Sequence, residues 1–365
     1  MECGYHLAIP VATTWHPVAT AYRKRMDARS NMKLNRFAKY AWVVLAYSIG
    51  VVLWGAYVRA TGSGAGCGNH WPLCGNVVIP QSPAVATTIE FSHRVTSGLT
   101  VVFVAGLLLW ALRSYPKGHA VRLGARLAFV FTITEALVGA GLVLFQLVAH
   151  NDSIARAASV AVHLANTFLL LASLTLTAAW ASGAHRLRLA GRARLSWPLG
   201  IGLLGVLILG VTGAITALGD TLFPSGSLVE GMAQDFSPTA HFLIRLRVIH
   251  PIIATLISVY VVILARLLAS SGDERPARRL ATLLTGLVGL QLLAGLVNVV
   301  LMAPIWLQMV HLLLADLLWI TFVLFSAGQL AVPLPEAGKA ELLSAGSGPA
   351  AANGAVTVGR VLKAK

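Results

Sequence analysis

Four histidines stand inside long apolar runs: His93, His163, His250 and His311. Ionisable side chains are costly in hydrocarbon and usually functional there. A hydrogen bond to a neighbouring helix accounts for any one of them, but four at similar depth call for a shared task. At 1.5 Å rise per residue, His93 lies about 30 Å from the basic edge at Arg113, His163 about 33 Å from the edge near His185, and His311 about 33 Å from Pro333. His250, about 24 Å from Arg266, is expected somewhat deeper. Two facing imidazoles in a helix bundle suit the axial positions of a haem iron, whereas zinc favours a tighter cluster with thiolate or carboxylate ligands. The expected pairs are His93 with His163 and His250 with His311. His6, His16, His70, His119, His150, His185 and His241 fall in loops or tails.

The groups around the two pairs differ. Glu90 precedes His93 by three residues and shares its helix face, while the matching residue before His250 is Arg247. A carboxylate beside a haem edge moves protons or stabilises a developing cation, so the first pair is expected to be the reaction site, with Glu90 catalytic. A plain helix N-terminal carboxylate is the alternative for Glu90. Arg94, Arg245 and Arg247 are candidate partners for propionates. Glu135, whose counterpart is Gln291, is read as a polar contact between helices. Cys67 and Cys74 share one loop, where they form either a staple or a redox couple.

The elements that must carry these residues are membrane helices. The chain has 365 residues, 57% of them hydrophobic and only 11% charged, with a mean hydropathy of +0.76. No soluble surface is sustained by that balance. The formal net charge of +15 sits in short segments between apolar runs, which is the orientation signal of a membrane protein and needs no nucleic acid. Eight runs are long enough to span, at about residues 40–58, 93–112, 127–148, 157–180, 197–218, 246–269, 280–301 and 306–329. Basic residues recur in every second loop, beginning with Arg36 and Lys39, so both termini are expected in the cytoplasm.

The sequence also repeats. Gly55-Ala56 recurs as Gly213-Ala214, Glu135 as Gln291, His93 as His250, and His163-Leu164 as His311-Leu312. A duplicated unit of four spans inserts twice with the same orientation, which implies a pseudo-twofold axis along the membrane normal. The expected fold is an all-α membrane protein of two four-helix bundles. A basic cytoplasmic segment (1–39) precedes a first bundle (40–185) with the catalytic haem site, then come a second bundle (186–330) with a further haem site and a disordered tail (331–365). Met32 is a natural start, which would make residues 1–31 an extension.

Three motifs are specific: Gly55-x-x-x-Arg59-x-Thr61-Gly62-Ser63-Gly64, Cys67-Gly-x-x-Trp71-Pro72-x-Cys74, and Glu90-x-x-His93-Arg94. With one histidine in each even-numbered span, the chain resembles bacterial haem A synthases, relatives of the mitochondrial cytochrome oxidase assembly enzyme, over nearly all of residues 40–330. The resemblance implies an oxidoreductase of the bacterial inner membrane. It would hydroxylate the C8 methyl of haem O twice, after which the geminal diol loses water to give the formyl group of haem A. It places haem O between His93 and His163, with Glu90 essential, and a permanent haem b between His250 and His311. The partners it implies are haem O as substrate and a haem O synthase as its source. The electron donor or acceptor and homo-oligomerisation stay open. Some family members carry a second cysteine pair after the fifth span, and this chain does not. The rival reading is a di-haem b electron-transfer protein, against which count the placement of both haems on one side and the unmatched Glu90 and Cys67. A repeat-built transporter explains the duplication but not the histidines.

Overall fold

The computed structural model describes residues 34–81, 83–270 and 275–331. Expectations for the extension before Met32 and for the tail after Pro333 lie outside the described residues. The described chain forms nine α-helices and no β-strand: α1 (Arg36–Ala60), α2 (Val85–Ser114), α3 (Ala120–Leu144), α4 (Ile154–Ala181), α5 (Ala193–Leu222), α6 (Leu228–Asp235), α7 (Phe242–Ser270), α8 (Arg275–Val300) and α9 (Ile305–Leu330). All but α6 are long and apolar enough to cross a membrane, and the protein is a multi-pass membrane protein. In hydrocarbon the backbone must satisfy its own hydrogen bonds, which long helices do.

The ends of the helices are set locally. Asn35 caps α1 by accepting from Ala38 N–H (2.7 Å), and Ser153 caps α4 by accepting from Arg156 N–H. The third run was expected to reach residue 148, but α3 stops at Leu144. Gln146 turns to φ 54° and Leu147 N–H returns to Leu142 O (2.8 Å). That six-to-one closure ends a helix whatever the hydropathy beyond it. The same exit closes α8, where Met302 and Ala303 have φ 57° and 52° and Ala303 N–H meets Asn298 O. The loop after the fifth span contains α6, which was not expected.

Arg266 lies inside α7 and does not mark its end. His93 and His250 each stand eight residues after their helix start, at Val85 and Phe242, so the helices give His250 no greater depth.

In the first bundle α1 packs against α2 and α4, and α3 against α2 and α4. In the second, α7 packs against α5 and α8, and α9 against α8 and α5. The bundles meet through α1 and α4 on one side and α5 and α9 on the other. The central helices are α9 and α4, whose apolar stretches are 50% and 39% buried against 17–28% for the other spans. Trp319 of α9 stacks on Phe168 of α4, with centroids 5.0 Å apart, and donates to its carbonyl at 2.7 Å.

The main core lies at the end of the bundles away from the histidines. It runs from Phe37 to Leu45 on α1, Val104 to Ala111 on α2, Val121 to Ala128 on α3 and Phe168 to Ala181 on α4, with the matching stretches of the second bundle. Its many alanines let backbones approach closely, which is how helices associate where lipid is as apolar as leucine. Around the histidines, among the described residues, the only fully buried apolar cluster is the small one of Ala157, Leu218 and Leu243.

Arg59 ties the bundles together near the histidine end. It donates to Ala217 O (2.7 Å) and Thr221 Oγ1 (3.0 Å) of α5 and to Gln308 Oε1 (3.3 Å) of α9. Replacing it by methionine keeps the stem and strands three acceptors, a loss of about 2 kcal/mol. Arg59→Met is expected to lower the thermal unfolding midpoint in detergent; an unchanged midpoint would mean that apolar packing alone joins the bundles.

Candidate functional site

Each of the four histidines faces a glycine on the preceding span. A Cβ on Gly55 of α1 would stand 2.8 Å from His93 Cε1, and one on Gly213 of α5 would stand 3.0 Å from His250 Cε1. The corresponding distances are 3.8 Å from Gly139 of α3 to His163 and 3.2 Å from Gly295 of α8 to His311. A methyl group on Gly55 would force the His93 ring to shift, one on Gly213 or Gly295 would make the ring give slightly, and one on Gly139 would make an ordinary contact. The structure brings His93 within electrostatic reach of His163 and His250 within reach of His311, the two pairings expected from the sequence.

The rings are held at one nitrogen or at none. His250 Nδ1 meets Thr212 Oγ1 at 3.0 Å, and His311 Nε2 lies 3.2 Å from Gln291 Nε2. His163 Nδ1 lies 3.4 Å from Glu135 Oε1, too poorly aligned for a hydrogen bond. Nδ1 of His93, His163 and His311 is buried without a hydrogen-bond partner. A metal-binding imidazole needs one nitrogen free for the metal and a group on the other to orient it. These four residues therefore fit a pair of bis-histidine haem sites, set in the less densely packed end of the bundles.

Glu135 is more than the interhelix contact expected for it. It accepts from Asn166 Nδ2 and Thr167 Oγ1 of α4, and the same carboxylate faces His163. The contact was legible in the sequence; its role beside a ligand was not, because helix rotation decides which neighbour a buried carboxylate meets. Asp316 is a further buried polar residue that the sequence reading passed over. It is fully buried, and neither of its oxygens has a hydrogen-bond partner.

Glu90 and the arginines fasten the loops. Glu90, 3% exposed, accepts from Cys67 N–H (2.8 Å) at one oxygen and from Arg94 at the other. Arg94 also donates to His70 O (2.6 Å) and Leu73 O (2.7 Å). Cys67 and Cys74 are joined by a disulfide and buried. Gly66 lies so close to α2 that a Cβ would come within 2.5 Å of the Ala86 carbonyl, and Thr87 donates to Gly66 O. Gly62, at φ 67°, turns the chain out of α1 into this loop.

In the second bundle Arg247 takes the place of Glu90. It pairs with Asp220 (3.3 Å) and with Asp235 of α6 (3.4 Å), while Arg245 donates to Pro238 O. Burial pushes the Asp235 carboxyl up, against the pull of Arg247. Of the three arginines considered for propionates, Arg94 and Arg245 are occupied by loop carbonyls. Arg247 keeps Nε and Nη2 buried without hydrogen-bond acceptors.

The fastening has a direct test. Arg94→Ala removes two loop hydrogen bonds and the Glu90 pair, so local opening of the loop becomes easier by about 2–3 kcal/mol. Reduction of the Cys67–Cys74 disulfide by a mild thiol, followed by maleimide labelling, is expected to run at least about tenfold faster than in the parent protein. An equal rate would show that Arg94 does not hold the loop.

Comparison with known proteins places this architecture. A family model described as cytochrome oxidase assembly protein matches residues 38–323. A Thermus thermophilus protein named protoheme IX farnesyltransferase is 53% identical over 311 residues, 84% of this chain and 51% of that protein. The chain thus spans about half the length of that relative. A protein named heme A synthase from Exiguobacterium sibiricum is 40% identical over 116 residues, 32% of this chain and 38% of the relative. Another heme A synthase, from Halalkalibacterium halodurans, is 46% identical over 95 residues, 26% of this chain and 32% of the relative. With the match running from the first span into the last, across all four glycine–histidine contacts, the chain belongs to the cytochrome oxidase assembly protein family.

Proposed function

We propose that the chain is a haem A synthase, which oxidises the C8 methyl of haem O to a formyl group in two successive hydroxylations followed by loss of water. The observation that carries this reading is the inequality of two otherwise matching histidine pairs: a carboxylate, Glu135, faces one, and an amide, Gln291, faces the other. A plain electron relay has no need of that difference. The names of the Exiguobacterium and Halalkalibacterium relatives support the reading.

In this proposal His93 and His163, in the bundle spanning residues 40–185, hold the iron of haem O. His250 and His311, in the bundle spanning 186–330, hold haem b. When bound, haem b supplies a one-electron relay to the first site. Thr212 orients His250 through Nδ1, and Gln291 steadies His311. Glu135 lies 3.4 Å from His163 Nδ1 without a hydrogen bond, and its charge makes the surroundings of that ring more negative than the amide of Gln291 makes those of His311. Glu90 acts as a positioning residue, since its oxygens take the Cys67 N–H and the Arg94 guanidinium and so seat the cysteine loop along the start of α2. Arg247, with donors left over, is the residue for a propionate.

The distribution of its basic loops supports a bacterial inner-membrane location with both termini cytoplasmic. Prenylation and methyl oxidation act in turn on one porphyrin. A relative that bears the farnesyltransferase name on a chain twice the matched length therefore supports a haem O-forming prenyltransferase as the neighbour that supplies substrate.

The test is acid-acetone extraction of the purified protein, with the haems separated and weighed by mass spectrometry. Haem b together with haem O, its hydroxylated form or haem A is the expected result; haem b alone would establish a di-haem electron carrier instead. Glu90→Ala is expected to keep haem b while abolishing haem A, and loss of all haem would refute the division of labour between the bundles. Glu135→Gln, which gives the first site the amide of the second, is expected to lower haem A formation about 10–100-fold with haem b content unchanged.

A further inference from the structure

A groove of about 370 Å³ opens between α1 and α2 on the surface of the first bundle. It is lined by Tyr47, Gly50, Val51 and Trp54 on α1 and by Ser92 and Thr96 on α2. The four α1 residues follow the i, i+3, i+4, i+7 spacing of one helix face. The polar groups in the lining are already engaged. Trp54 Nε1 donates to Ser92 Oγ (3.1 Å), Ser92 to Ile89 O, Tyr47 to Thr96 O (2.9 Å), and Thr96 to the carbonyls of Ser92 and His93. What remains is an apolar channel facing the bilayer.

The groove begins where the first histidine site ends. Trp54 and Ser92 form its outer end, and the next residue on each helix is Gly55 and His93, the pair in closest contact. From there the groove runs about 10 Å along α1 to Tyr47.

The second bundle carries different residues at the equivalent positions. At the repeat spacing, Tyr47, Gly50, Val51 and Trp54 correspond to Gly205, Ile208, Leu209 and Thr212, and Ser92 and Thr96 to Ile249 and Ile253. A Cβ on Gly50 would have nothing within 4 Å, and its counterpart is the branched Ile208. Thr212 is committed to His250. One bundle has an open apolar groove leading away from its histidine, and in the other branched side chains occupy the matching positions.

We propose that the groove between α1 and α2 holds the fifteen-carbon isoprenoid tail of the haem substrate, and so selects the prenylated haem for the first site. This rests on the assignment of haem O to His93 and His163. Haem b has no such tail, which matches its placement in the bundle that carries branched side chains at these positions. Transfer of a tail from lipid to protein gains little from the hydrophobic effect, so the main product of the groove is orientation. The tail and the reacting methyl are fixed on one rigid macrocycle. Seating the tail therefore stops rotation about the axis through the iron and decides which methyl meets the reaction centre.

The test compares Gly50→Ile, which installs the residue of the second bundle, with the parent protein. Both are purified from cells lacking a haem O-forming prenyltransferase, so that haem b fills the second site, and titrated with haem O and separately with haem b. The ratio of haem O to haem b affinity at the first site cancels differences in detergent partitioning. That ratio is expected to fall about tenfold in Gly50→Ile, with haem b affinity unchanged. Gly50→Ala, whose added carbon meets nothing, is expected to fold normally and lie between. An unchanged ratio in both variants overturns the proposal and leaves the groove to lipid acyl chains; an equal fall for both haems overturns it as general damage to the site. Parent protein that prefers haem O yet forms no haem A with a supplied reductant and oxygen would refute the synthase reading while leaving the tail site standing.

Discussion

The structure depends on the approach of imidazole to glycine, closest at Gly55 and His93, slightly looser at Gly213 and Gly295, and an ordinary contact at Gly139. At each, a histidine ring lies against the absent side chain of a glycine on the preceding span. The distances are short enough, at His93 and His250 above all, that the glycine fixes both the spacing of the two helices and the direction in which the ring points. In hydrocarbon a small residue at a helix contact is the usual means of bringing backbones together. Here the same device also sets a row of imidazoles at one end of the molecule. The packed core at the opposite end keeps the helices aligned, so the histidine end can stay less densely filled without the bundles splaying.

On this repeated frame the two bundles differ in ways that are chemically opposite but mechanically alike. Glu90 and Arg247 occupy equivalent positions with opposite charge, and each fastens the outer loop of its own bundle to the histidine-bearing helix. The sign follows from what stands opposite: a loop N–H and the neighbouring Arg94 in the first bundle, the carboxylates of Asp220 near the end of α5 and of Asp235 in α6 in the second. The reversal that looked like an active-site signature in the sequence has a structural cause. The difference closest to the histidine rings is Glu135 against Gln291.

The outer loop of the first bundle is bound to α2 at several points: the Glu90–Arg94 pair, the Thr87 bond to Gly66, and the close approach of Gly66 to the backbone of Ala86. Arg59 links the same end of α1 to α5 and α9. The residues of the specific motifs are thus largely supports. They place a loop and a bundle interface around the histidines, and few of them face the space between the ligand pairs.

The spans and the shared loop of Cys67 and Cys74 are legible in the sequence, because hydropathy runs and residue spacing are one-dimensional properties of the chain, and the repeat spacing pairs the histidines that lie within electrostatic reach of each other. The end of α3 and the presence of α6 are not, since a backbone reversal at Gln146 and an eight-residue helix leave no mark on hydropathy. Which glycine meets which imidazole, the turn of Glu135 toward His163 and the commitment of Arg94 to loop carbonyls emerge in three dimensions alone. Each of these depends on the rotation of one helix against another. That rotation is set by the sum of many small packing contacts and is not encoded in the spacing of any pair of residues.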